Sequence, residues 1–137
     1  MARDQILVVE DNARNMILLM DVLRATGYRT LQASTGREAL MLATRHGPAL
    51  VLMDIRLPDM DGVEALRLLR ADARTASIPV LAVTAQAMKG DQERFLEAGF
   101  DGYLSKPVDV DALLAAVQVN SGGEGKRRNR VIARLNS

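Results

Sequence analysis

Ile6-Leu7-Val8-Val9-Glu10-Asp11 is an apolar run of strand length that ends in two carboxylates. A run apolar on both faces suits a strand inside a parallel sheet, where helices cover each side. The same reading applies to 50–53, which is followed by Asp54, and to 80–83, which is followed by Thr84. Two further runs, 30–33 and 103–105, contain polar residues and are expected at the sheet's edges. Stretches of helical period separate all five, and strict alternation implies an α/β domain with helices on both faces of a doubly wound, five-stranded parallel sheet. Right-handed crossovers with the second and fifth strands outermost give the order 2-1-3-4-5, which sets the ends of strands one and three side by side at the switch point. Asp11 and Asp54 are therefore expected to be neighbours.

The chain has 137 residues, 48% of them apolar, enough for one domain with an ordinary core. We place that domain at 1–120 and a basic, flexible tail at 121–137. Lys126, Arg127, Arg128, Arg130 and Arg134 against Glu124 give the tail a net +4, so the total of +1 leaves the preceding residues at −3. Gly122, Gly123 and Gly125 break structure, and Val131-Ile132 is the tail's short apolar interruption. Its composition reads as a solvated segment, with a weak nucleic-acid contact or a partner-induced helix as the other readings. The absence of cysteine excludes a disulfide framework and cysteine metal sites, and Met1-Ala2-Arg3-Asp4 opens no signal peptide. A cytoplasmic protein without membrane partners is the expectation.

Asn12 is placed to cap the first helix and Gly27 to end it, while Gly47-Pro48 stops the second after His46. His46 itself reads as a helix-terminal residue that complements the dipole. In the first helix, Asn15, Leu18, Leu19, Val22, Leu23 and Thr26 form a stripe expected to face the sheet. Met16, Ile17 and Met20 are then surplus apolar residues beside the acids, a candidate partner surface. A core stripe through Met16, Leu19, Met20 and Leu23 reads the same spacing differently.

The strand ends gather Glu10, Asp11, Asp54, Thr84 and Lys106 at the edge where open α/β folds bind ligands. Three carboxylates repel one another and call for a cation; Mg²⁺ needs only one or two of them, because it retains waters and accepts phosphate oxygens. Asp54 is the candidate nucleophile for an aspartyl phosphate. Lys106 supplies positive charge to phosphoryl oxygens and Thr84 a hydroxyl donor. Singly, each has an ordinary reading: an acidic pair as a helix cap, an aspartate in a turn, a threonine in a strand, a surface lysine before proline. Their joint arrival at the ends of four strands is what points to chemistry.

Four segments carry a family resemblance: Ile6-Leu7-Val8-Val9-Glu10-Asp11-Asn12, Leu52-Met53-Asp54-Ile55-Arg56-Leu57-Pro58-Asp59-Met60-Asp61-Gly62, Val83-Thr84-Ala85 and Gly102-Tyr103-Leu104-Ser105-Lys106-Pro107. In order and spacing the chain resembles the receiver domains of two-component response regulators over about residues 5–119, with the flavodoxin-like, CheY-like fold. The resemblance implies phosphorylation of Asp54 by a histidine kinase or histidine phosphotransfer protein. It implies Mg²⁺ held by Asp11, Asp54 and the backbone carbonyl of Arg56, with Glu10 reaching it mainly through water. Thr84 and Lys106 would contact the phosphoryl group, Tyr103 would swing inward, and the bond before Pro107 would be cis. Small Ala85 would leave the pocket accessible, and Arg56 and Gln86 would flank it and tune hydrolysis. Thr84-Ala85-Gln86-Ala87-Met88-Lys89-Gly90-Asp91 looks most like stand-alone cell-cycle receivers and receivers of hybrid kinases.

The same resemblance implies a phosphoacceptor rather than an enzyme, with Mg²⁺-dependent self-phosphorylation from small donors and self-dephosphorylation. Nearly two added charges at Asp54 would favour closure of Thr84 and Lys106 on the phosphate. A downstream effector would read the fourth helix, fifth strand and fifth helix, where Ala112, Ala116 and Val119 give a smooth surface. The structural alternative for Tyr103 is an edge-strand ring covering the last two helices. A nucleotide-binding flavodoxin is disfavoured by the acidic turn after strand one, which repels phosphate. An aspartate-nucleophile phosphatase is disfavoured by Ala13, where a second acid belongs. A phosphorylation-independent, receiver-like binding module is the remaining rival. With no second domain expected after the fifth helix, output falls to partner binding or onward phosphoryl transfer.

Overall fold

Ten elements alternate along the chain: β1 (Ala2–Val9), α1 (Ala13–Ala25), β2 (Arg29–Ala33), α2 (Gly36–His46), β3 (Pro48–Asp54), α3 (Gly62–Ala71), β4 (Val80–Thr84), α4 (Lys89–Ala98), β5 (Gly102–Ser105) and α5 (Val110–Ser121). The computed structural model describes residues 2–85 and 89–121. Gln86 and the basic residues of the tail lie outside the described residues. The strands form one parallel sheet in the order β2-β1-β3-β4-β5, as the crossover argument requires.

Strand alternation divides the core into two. Leu7, Val9, Val51, Met53, Val80 and Ala82 point to one face, where Ala39 and Ala43 of α2, Ala65, Leu66 and Leu69 of α3 and Phe95 of α4 cover them. Ile6, Val8, Leu50, Leu52, Leu81 and Val83 point to the other, beneath α1 and α5. These central side chains are buried on both faces, which explains why their strands read as unbroken apolar runs.

The helix ends follow the local chemistry. Asn12 accepts a bond from Asn15 N–H at 3.0 Å, and Gly47 closes α2 in the left-handed conformation, with φ +55°. The rotation of α1, however, corrects the expected partner surface. Met16 and Met20 are buried with Leu19 and Leu23, whereas Leu18 is 51% and Ile17 60% exposed. Of the proposed surface residues only Ile17 faces outward. The two stripes share Leu19 and Leu23, and the phase that buries two methionines removes more apolar area from water than the one that buries Asn15 and Leu18.

Candidate functional site

Register delivers the site. Val9 pairs with Met53 on β3 and with Ala33 on β2, so the next residues, Glu10 and Asp54, emerge together at the carboxyl edge. Asp54 pairs with Val83, and Thr84 pairs with Ser105, which precedes Lys106. Lys106 N–H donates to the Thr84 carbonyl at 2.8 Å, tying the fifth strand's end to the fourth's. The Lys106–Pro107 bond is cis.

A cleft of about 450 Å³ opens there, lined by Glu10, Asp11, Asp54, Arg56, Thr84, Ala85 and Lys106 among others. Glu10, Asp11 and Asp54 each offer a carboxylate oxygen within 4.8 Å of the others. Glu10 and Asp54 are buried and Asp11 is exposed. Lys106 Nζ bridges the two buried acids, 2.8 Å from Glu10 Oε1 and 3.0 Å from Asp54 Oδ2. Backbone donors orient both: Asn12 N–H reaches Glu10 Oε2 at 3.2 Å and Arg56 N–H reaches Asp54 Oδ1 at 3.2 Å. Tyr103 pairs with Ala82, and its half-buried ring lies against the core of the α2, α3 and α4 face.

Burial pushes the Glu10 carboxyl above its ordinary value and Asp54 adds to the rise, while Lys106 and the Asn12 N–H pull it back. Burial lowers Lys106, but its pairing with Glu10 and Asp54 outweighs that and leaves it raised. Three acids facing one ammonium leave surplus negative charge built from hard oxygen donors, a set that fits Mg²⁺. Asn12, read from the sequence only as a cap, also orients Glu10; its position two residues past the acid was the available signal.

Residues 6–118 match the response regulator receiver domain family. The chain belongs to this family. This receiver is 45% identical to the polar-differentiation response regulator DivK of Brucella ovis over 113 residues, 82% of this chain and 92% of the relative. Among solved structures it is similar to the receiver domain of sensor histidine kinase PA1611 from Pseudomonas aeruginosa, which has a magnesium ion in its active-site cleft. The TM-score is 0.81 at 38% identity, covering 88% of this chain and 98% of that one. It is also similar to a chain in the co-crystal structure of the Saccharomyces cerevisiae histidine phosphotransfer protein Ypd1 and the receiver domain of Ssk1. There the TM-score is 0.78 at 29% identity, over 85% and 88% of the two chains. Among the described residues no helix is long and apolar enough to cross a membrane.

Proposed function

We propose that this receiver accepts a phosphoryl group on Asp54 from the phosphohistidine of a kinase or phosphotransfer protein, and signals through phosphorylation-dependent partner binding or onward transfer. The observation that carries the reading is Lys106 Nζ bridging Glu10 and Asp54 at a sheet edge where Asp11 completes a three-carboxylate cluster. A carboxylate oxygen of Asp54 forms the new P–O bond as the donor's P–N bond breaks, and the imidazole leaves with the electron pair. Lys106, already at the acceptor, neutralises charge on the transferring oxygens, and the Thr84 hydroxyl donates to them. Asp11, Asp54 and the backbone carbonyl of Arg56 would hold Mg²⁺, with Glu10 assisting through water. The bound ion would offset the negative charge of acceptor and phosphoryl group. Tyr103 moves with Thr84 as the site closes, and Arg56 and Gln86 tune the rate of hydrolysis.

The test is intact mass after incubation with acetyl phosphate, with and without Mg²⁺, beside Asp54→Asn. A Mg²⁺-dependent gain of one phosphoryl group, absent from the variant, is expected. No gain in the native chain, with a cognate kinase as well as with the small donor, would favour a phosphorylation-independent binding module.

A further inference from the structure

The loop between β3 and α3 carries Arg56 into the cleft. Its neck is closed by a bridge between Arg56 and Asp61 and by a bond from Gly62 N–H to the Ile55 carbonyl at 2.7 Å. Its tip is held from a different element. Asp59 Oδ1 accepts from Gly36 N–H at 2.8 Å and Asp59 Oδ2 from Arg37 N–H at 2.9 Å, both at the first turn of α2. Beside them Met60 lies against Gly36, where a Cβ would stand 2.5 Å from the methionine Cγ. Two carboxylate oxygens on successive N–H groups fix orientation as well as position, and the helix end favours the negative charge.

We propose that Asp59 is a positioning residue for the metal half of the site: by fastening the loop tip to α2, it holds the Arg56 carbonyl in place beside Asp11 and Asp54. The inference rests on the metal-assisted acceptor reading above. It gives α2 a role in the chemistry although its residues are not among those that line the cleft.

Mg²⁺ affinity measured by isothermal titration calorimetry on the full chain tests this, using Asp59→Ala, Asp59→Asn and Thr35→Ala. Thr35 caps the same helix through Glu38 N–H at 3.1 Å, so its loss weakens the helix end while leaving the Asp59 tether. Asp59→Ala is expected to weaken Mg²⁺ binding roughly tenfold, the low end of what outer-shell supports of metal ligands contribute. Asp59→Asn should lose less, because its amide oxygen keeps one of the two bonds. Both variants remove the same charge, so the difference between them reads the tether. Thr35→Ala should melt earlier yet bind Mg²⁺ as the native chain does. Native affinity in Asp59→Ala, or an equal loss in Thr35→Ala, would overturn the positioning role and leave the acceptor chemistry standing. A folded native chain that neither binds Mg²⁺ nor gains a phosphoryl group would defeat the functional reading, and the positioning role with it.

Discussion

Glu10 is a carboxylate kept where burial disfavours its charge, with Lys106 as its counterion at 2.8 Å. Because its pKa is raised above 4.5, the folded chain holds this proton more tightly than the unfolded chain. The group's contribution to stability therefore declines as pH rises from 4.5 through the raised value. Lys106 works in the same direction in a higher pH window: its raised pKa gives stability that is complete below 10.5 and is lost as pH climbs through the folded value. Lys106→Met removes a cause that lowers Glu10 and leaves burial and Asp54, which raise it. Carboxyl ¹³C shifts followed against pH should show the Glu10 midpoint moving upward in that variant; an unchanged or lower midpoint would contradict the assigned pairing.

Helix rotation and loop closure operate at the scale of the element. On α1 the buried face is Met16, Leu19, Met20 and Leu23. Leu23→Ala, at a fully buried position, is expected to cost about 2–5 kcal/mol in urea denaturation. Ile17→Glu, at an exposed one, should stay within about 0.5 kcal/mol of the native chain. Two glycines around the loop after β3 differ in the same way. A Cβ at Gly62 would stand 2.5 Å from the Asp54 carbonyl oxygen and 2.8 Å from the Ile55 Cα, whereas the atoms nearest to one at Gly36 belong to the flexible Met60 side chain. Gly62→Ala should therefore lose about 3 kcal/mol or more and Gly36→Ala appreciably less, because backbone cannot step aside and a methionine can. Equal losses in the two melts would show that the backbone contact does not matter.

Across the whole molecule, the edge of the sheet opposite the cleft has its own clasp. The Arg70 guanidinium reaches the carbonyls of Ala76, Ile78 and Gly99 and the carboxylate of Asp101, which also accepts from Val80 N–H at 2.8 Å. One side chain thereby joins the end of α3 to the starts of β4 and β5. Arg70→Met should destabilise the fold by about 2–3 kcal/mol, since partly buried acceptors and Asp101 lose a charged donor. It should leave Mg²⁺-dependent phosphoryl uptake at the native rate, because the four steps along β4 from Val80 to Thr84 put about 13 Å between the clasp and Thr84. Parallel urea and mass measurements on this variant separate the two effects; a slowed uptake would mean that the edges are coupled through the sheet.

Residue order alone sets out the strand runs, their alternation with helices, the edge positions of β2 and β5, and the acids, hydroxyl and lysine at the strand ends. These are legible because burial on two faces writes continuous apolar runs, and because chain order with right-handed crossovers restricts the topology. The rest came from packing in three dimensions. Two stripes on α1 share Leu19 and Leu23, and only packing on the sheet selected the one with Met16 and Met20. Lys106 joins Glu10 and Asp54 together, and Asp59 grips α2 from 23 residues away. Such contacts leave no local pattern, because residues distant in the chain become neighbours only when the sheet sets their register.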